Sequence, residues 1–146
     1  MAEDREILCL PAGDESYGIE FPYVVEICRE FRISPVPCLR EPYCGVVNYK
    51  GMIIPAAQLQ EGEWEKRQHQ TDGCVLAVVR HGKFWLGILS WREPFIISLS
   101  ESVKIQNNVM DRHSEIWQEK ALYENGGRLC AVLDMEKTME RMILHP

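Results

Sequence analysis

The chain has 146 residues, of which 46% are hydrophobic and 26% are charged, a composition typical of a folded globular protein. With 16 Lys and Arg against 22 Asp and Glu, the formal net charge is −6, which argues against binding to nucleic-acid phosphates because that binding needs a basic field. The N-terminal segment is acidic and lacks an apolar signal core, and the longest apolar run is far shorter than the roughly 20 residues that cross a bilayer. We therefore expect a cytoplasmic protein that binds no nucleic acid.

The first part of the chain predicts a β-hairpin followed by a short helix. Residues 7–10 are apolar, residues 16–21 alternate apolar and polar side chains, and a segment with Pro and Gly separates the two. Pro22 occupies a suitable first helical position, and the three- and four-residue spacing of apolar side chains after it predicts one or two helical turns over residues 22–27. The proline-rich residues 29–39 are predicted to be extended.

Two further hairpins are predicted in the middle of the chain. Residues 45–56 contain two runs rich in β-branched side chains around a turn, and residues 74–89 contain two apolar runs joined by a His-Gly pair. The polar segment 60–73 contains little to bury besides Trp64. We interpret this segment as a surface crossover between two halves of the fold.

The last third of the chain predicts short strands, one weak helix and one clear helix. Strands are expected over residues 94–99, 103–105 and 128–134, with a loop over 107–113 and a helix over 115–123. Asp134 is a good N-cap for a C-terminal helix. The apolar stripe of that helix contains Met135, Met139, Met142 and Ile143. Many short strands with few helices indicate β-barrels and not a βαβ sheet.

No residue pattern matches a known catalytic or cofactor-binding signature. A nucleophile elbow, a phosphate-binding glycine loop and metal-ligand spacings are all absent from the sequence, so neither a metal nor another cofactor is expected. The six cysteines form no Cys-x-x-Cys pair, which together with the lack of a signal peptide predicts reduced thiols. The alternative from a different class is a small thiol- or metal-dependent enzyme that uses Cys74 and His81.

Residues 45–59 resemble the signature of CheW-like domains, the adaptor modules of bacterial chemotaxis. The segment is Gly-Val-Val-Asn-Tyr-Lys-Gly-Met-Ile-Ile-Pro-Ala-Ala-Gln-Leu, and the family pattern is roughly Gly-x-x-Asn-Leu-Arg-Gly-x-x-x-Pro-Val-x-Asp-Leu. Further segments match the family in the same order along nearly the whole chain: residues 17–20, 24–27, 33–37, 86–89 and 129–137. The ordered set is more specific than any one of its motifs.

The resemblance implies a mainly β fold, with two small SH3-like five-stranded β-barrels that share a hydrophobic core, short helices and a C-terminal helix. It implies one CheW-like domain over residues 1–146, with a crossover between its two lobes near residues 60–73. The implied function is that of a non-enzymatic adaptor that couples the cytoplasmic tips of chemoreceptors to the regulatory domain of a CheA-type histidine kinase. Such an adaptor reaches the membrane only through the receptors, in chemoreceptor arrays. A CheW-fold scaffold for a different signalling partner is a further alternative.

The same resemblance places two partner contacts on this chain. Receptor contact is associated with a turn that contains Asn48, Lys50 and Gly51. Kinase contact is associated with the segment Val24, Val25, Glu26 and Ile27. The competing interpretation is structural, since glycine satisfies turn geometry and aliphatic side chains fill a core.

Three departures from the family pattern bear on these contacts. Lys50 stands where the family usually has Arg, and a lysine lacks the planar two-point donor of a guanidinium. Gln58 replaces the usual Asp, which removes a carboxylate that could pair with the cation at position 50. Residues 90–92, Ser-Trp-Arg, replace the family's usual Val-Asp-x-Val, so we expect one edge of the second barrel to differ.

Overall fold

The computed structural model describes residues 5–105 and 115–144, and within these ranges the chain is mainly β. Two 3-10 turns, Phe21–Tyr23 and Leu99–Glu101, occur between strands. The predicted loop 107–113 lies outside the described residues. In chain order the strands and helices are β1 (Glu6–Ala12), β2 (Glu15–Glu20), β3 (Val24–Cys28), β4 (Ile33–Ser34), β5 (Tyr43–Tyr49), β6 (Met52–Gln58), α1 (Glu63–Lys66), β7 (Val75–His81), β8 (Phe84–Ser90), β9 (Phe95–Ser98), β10 (Val103–Lys104), β11 (Glu119–Asn125), β12 (Arg128–Leu133) and α2 (Met135–Leu144).

The chain forms two compact units, each built on one sheet. Unit one contains the described parts of Met1–Tyr23 and Pro94–Pro146, and unit two is Val24–Glu93. In the described residues the strand order is β10-β11-β12-β2-β1-β9 in unit one and β3-β7-β8-β6-β5-β4 in unit two. The mainly β class with two β units is confirmed. Each sheet has one strand more than expected, because the two-residue strands β4 and β10 extend them.

Both sheets have the same arrangement. Each contains two antiparallel hairpins, and one strand of the first hairpin pairs in parallel with one strand of the second. In unit one the hairpins β1–β2 and β11–β12 meet where β2 runs parallel to β12. In unit two the hairpins β5–β6 and β7–β8 meet where β6 runs parallel to β8. The three hairpins predicted from local sequence, β1–β2, β5–β6 and β7–β8, are confirmed.

A glycine lies in each parallel junction, at a place where neighbouring side chains leave no room for a Cβ. A Cβ on Gly18 of β2 would lie 2.5 Å from Ile7 Cγ2 and 2.8 Å from Cys130 Sγ. A Cβ on Gly87 of β8 would lie 2.8 Å from Leu76 Cδ1. The glycines therefore let buried side chains of the same unit pack directly onto the backbone of the junction.

The helix predicted over residues 22–27 is wrong. A 3-10 turn covers Phe21–Tyr23, and the next five residues form β3, which pairs antiparallel with β7. A bulge between Val24 and Glu26 inserts one extra residue into β3. The bulge interrupts the two-residue alternation of a strand, and the resulting three-residue spacing imitates a helix.

The helix predicted over residues 115–123 is wrong for a related reason. Residues from Glu119 onward form β11, which pairs with β12 through a tight turn at Gly126 and Gly127. The register of this pair shifts between Glu119 and Ala121. That shift removes the clean alternation that would have identified the strand, and pairing with β12 overrides the weak helical periodicity.

Residues 60–73 connect β6 to β7 inside unit two, so the predicted crossover between halves lies within one unit. The segment contains the short helix α1, whose Trp64 is buried and stacks on His69 with ring centroids 4.9 Å apart. The backbone N–H of Trp64 donates to Gln58 Oε1 at 2.6 Å. Although most of the segment is polar, one large aromatic side chain is enough to fix it to the core.

The C-terminal helix α2 begins as predicted. Asp134 Oδ1 accepts a hydrogen bond from the backbone N–H of Lys137 at 3.0 Å, which is the N-cap interaction. The three methionines of the predicted stripe are buried, whereas Ile143 is 61% exposed. Successive residues of a helix point about 100° apart. Ile143 therefore points away from the buried side of Met142 and lies at the edge of the apolar stripe.

Replacing Gly87 with Ala should lower the free energy of unfolding by about 1–3 kcal/mol, because the new methyl group overlaps the Leu76 side chain. Leu76→Ala alone should cost about 2–5 kcal/mol, as expected for a fully buried leucine. In the double variant the methyl group enters the space that Leu76 leaves, so the combined loss should be smaller than the sum. Urea denaturation of the wild type and three variants measures these losses, and strictly additive values would contradict the overlap.

Candidate functional site

The turn of the β5–β6 hairpin places the three residues predicted to contact a receptor. Lys50 and Gly51 are its two central residues, with φ of 51° and 88°. Positive φ at both positions is what a type I′ turn requires, and a glycine adopts it without strain whereas a lysine does not. Asn48 Oδ1 accepts a hydrogen bond from the backbone N–H of Gly51 at 2.8 Å, which fixes the turn.

The hairpin end contacts β3 through a single carboxylate. The Tyr49 hydroxyl donates to Glu26 Oε1 at 2.5 Å, and Lys50 Nζ lies 3.3 Å from the same oxygen. Lys50 Nζ also lies 5.3 Å from the centroid of the Tyr49 ring. We call Glu26, Tyr49 and Lys50 the Glu26 cluster. Because β3 is one edge of the sheet and β5 lies near the other, these contacts require the sheet of unit two to curl.

The Glu26 cluster favours the ionised carboxylate. The hydrogen bond from Tyr49, followed by the Lys50 ammonium, lowers the pKa of Glu26 below its ordinary value. The same carboxylate raises the pKa of the Tyr49 hydroxyl and the pKa of Lys50, because losing either proton would break a favourable contact with a negative group. Most of the Lys50 side chain is exposed, so the ion pair orients groups more than it stabilises the fold.

Of the four residues predicted to contact a kinase, two are accessible and two support the sheet. Val24 and Ile27 are partly buried and pair with Val79 and Ala77 of β7. Val25 occupies the bulge of β3 and is 42% exposed. The bulge therefore leaves this aliphatic side chain exposed, one position before Glu26.

An apolar side chain that sequence reasoning missed lies next to the turn. Ile53 of β6 pairs directly with Asn48 of β5 and is 61% exposed. Pro55 pairs with Val46 on the same face of the hairpin, and both are partly buried. Strand alternation in residues 52–56 could have placed Ile53 and Pro55 on the outer face.

Tyr49 was also missed, and here the sequence offers little signal. Tyr49 is largely buried and its ring lies 6.0 Å from that of Trp85. Only its hydroxyl reaches Glu26, 23 positions earlier in the chain. Such a contact depends on the curl of the sheet, which the spacing of residues along the sequence does not predict.

Gln58, which replaces a carboxylate that could have paired with the cation at position 50, bonds other groups in this chain. Gln58 is buried, and its Nε2 donates to both oxygens of Glu41, at 3.0 and 3.1 Å. Its Oε1 accepts from the backbone of Trp64, and its own backbone N–H donates to the Pro42 carbonyl at 2.9 Å. Gln58 therefore ties two loops of unit two together, while the partner of Lys50 is Glu26.

The alternative enzymatic pair does not come together. Cys74 precedes β7 and His81 ends it, so roughly 20 Å of extended chain separates them. Burial raises the pKa of the Cys74 thiol to about 12, which leaves almost no thiolate at neutral pH. Within residues 5–105 and 115–144, no group of three or more His, Cys, Asp or Glu side chains could hold a metal ion.

The two curled sheets, joined hairpins and terminal helix define a mainly β module of two similar units. The chain belongs to the CheW-like domain family, whose sequence model matches residues 6–142. The resemblance seen in residues 45–59 and in the ordered segments around them is thereby confirmed. None of the helices in the described part of the chain is long and apolar enough to cross a membrane.

Several characterised proteins are similar to this chain over most of its length. The chemotaxis protein CheW of Thermotoga maritima is 25% identical over 140 residues, which cover 96% of this chain and 91% of that protein. The Helicobacter pylori protein of the same name is 25% identical over 134 residues, covering 88% and 78%. The crystal structure of the scaffolding protein TtCheW from Thermoanaerobacter tengcongensis has a TM-score of 0.67 over 90% of both chains, at 14% identity, and shows the same fold.

Replacing Asn48 with Ala should lower the free energy of unfolding by about 1 kcal/mol, because the backbone N–H of Gly51 loses its acceptor. Asn48→Asp is the matched control, since it keeps an oxygen in the same place and should recover most of the loss. Thermal or urea denaturation measures both variants. Equal destabilisation by Ala and Asp would contradict the assigned role of the side-chain oxygen.

Proposed function

We propose that this chain is a non-enzymatic adaptor of chemotaxis signalling that binds chemoreceptor tips and the regulatory domain of a CheA-type histidine kinase. It works in the cytoplasm at receptor arrays and needs no cofactor. Membership of the CheW-like family over residues 6–142 supports the adaptor role. The relatives named above are chemotaxis proteins, and one structural relative is titled a scaffolding protein.

The observation that carries the proposal is the contact between the two segments expected to bind partners. Glu26 belongs to the segment assigned to the kinase, Lys50 belongs to the turn assigned to receptors, and their side chains form an ion pair at 3.3 Å. The kinase segment contains the exposed Val25, and the exposed Ile53 of β6 pairs with Asn48 beside the receptor turn. An apolar anchor flanked by rim charges is the arrangement from which protein interfaces gain affinity and specificity.

The receptor contact is tested at Lys50. Lys50→Glu should weaken binding to receptor cytoplasmic fragments by roughly tenfold, since it reverses a rim charge and repels Glu26. The unfolding midpoint should change little, because the side chain is 72% exposed.

Lys83→Glu is the matched control for that experiment, because Lys83 is an exposed lysine in the other hairpin turn of unit two. Pull-down and biolayer interferometry with receptor fragments measure the affinity. Retention equal to that of the Lys83 variant would place receptor contact elsewhere.

The kinase contact is tested at Val25. Val25→Ser should weaken binding to the kinase regulatory domain by roughly three- to tenfold through loss of buried apolar area at the interface. Val103→Ser is the control, since Val103 is an exposed valine of unit one at 62% exposure. Isothermal titration calorimetry measures both. A wild type that binds neither a kinase domain nor a receptor fragment would contradict the proposed adaptor function.

A further inference from the structure

The Glu26 carboxylate is held by one oxygen and leaves the other available. Both donors of the Glu26 cluster, the Tyr49 hydroxyl and the Lys50 ammonium, meet Oε1. Among the described residues Oε2 has no hydrogen-bond partner, and 41% of the Glu26 side chain is exposed. A carboxylate with one oxygen fixed and one oxygen open is a preorganised acceptor.

This arrangement follows from the residues at positions 49 and 50. The family pattern has Leu at position 49 and Arg at position 50. An arginine there could span both carboxylate oxygens with two parallel N–H donors. In this chain a lysine supplies one point of charge, and a tyrosine supplies the second donor. Because both reach the same oxygen, the pair orients the carboxylate without saturating it.

We propose that Tyr49 is a positioning residue that holds Glu26 so that Oε2 accepts a hydrogen bond from a basic side chain of the docked partner. The proposal rests on the proposed function, in which β3 faces the kinase regulatory domain. The partner surface that fits has an Arg or Lys side chain beside an apolar contact, because the exposed Val25 directly precedes Glu26 in β3. The net charge of −6 on this chain favours such a basic surface.

The tyrosine ring and its hydroxyl have separable roles. The ring packs in the core of unit two near Trp85, whereas the hydroxyl contacts Glu26. Tyr49→Phe removes the hydroxyl and keeps the ring, so the fold stays intact while the carboxylate is released to rotate. Glu26→Gln keeps the shape of the acceptor side chain and removes its charge.

The test uses the full chain in four forms: the wild type, Tyr49→Phe, Glu26→Gln and the double variant. NMR titration of the side-chain carboxyl carbon should show the pKa of Glu26 rising toward its ordinary value in Tyr49→Phe. Calorimetry with a purified CheA-type regulatory domain should show Tyr49→Phe weakening the affinity roughly three- to tenfold, while the unfolding midpoint falls only slightly because the ring stays in place. In the Glu26→Gln background the same change should have a much smaller further effect, because the charge that Tyr49 positions is gone.

Salt dependence identifies the chemistry of the partner group. If Oε2 meets a cation, Glu26→Gln should reduce the slope of log Kd against log salt concentration relative to the wild type. An unchanged slope would mean a neutral donor and would overturn the basic partner. Equal affinity of the wild type and Tyr49→Phe, or additive effects in the double variant, would overturn the positioning role.

The two proposals fail in different ways. A wild type that binds no kinase regulatory domain overturns the proposed function and the partner assigned to Oε2. A wild type that binds normally, with Tyr49→Phe binding equally well, overturns only the role of Tyr49. In either case the carboxyl titration decides independently whether the hydroxyl of Tyr49 holds Glu26.

Discussion

The hydrogen bond from Tyr49 to Glu26 joins strands that are far apart in the sheet order of unit two. Among the described residues the backbone ladder pairs β3 with β7 alone, so curvature of the whole sheet is what brings β3 to the β5–β6 turn. The contacts around Glu26 depend on that curvature. It sets the ion pair of Lys50, the orientation of the carboxylate and the proximity of the two segments assigned to different partners.

The sheet of each unit is curved, and each contains a parallel strand pair with a glycine in it. Gly18 and Gly87 occupy different strands, yet each allows a buried side chain to lie where a Cβ would otherwise be. Larger residues there would push the neighbouring strands apart. The two units therefore share the same arrangement of hairpins, with a glycine at each parallel junction.

Local chemistry made part of this structure predictable. Three hairpins and the start of α2 follow from turn residues, alternation and a capping carboxylate, all of which act within a few positions. The strands β3 and β11 were missed because a bulge or register shift disturbs each, and the pairing partner of β3 lies about fifty residues further along the chain. The site residues Asn48, Lys50 and Glu26 came from family resemblance. The hydroxyl of Tyr49 escaped notice because only the folded sheet brings it to Glu26.

Lys50 adopts a left-handed conformation, so this turn holds a cation at the cost of some backbone strain. Asn or Gly would occupy that backbone position with less strain, by about 1 kcal/mol, and would make a firmer hairpin. Either replacement would also leave the neighbouring carboxylate without its cation. A variant with Asn or Gly at position 50 would therefore have a firmer hairpin but would bind its partners less well. Such variants should be assayed for signalling as well as for melting temperature.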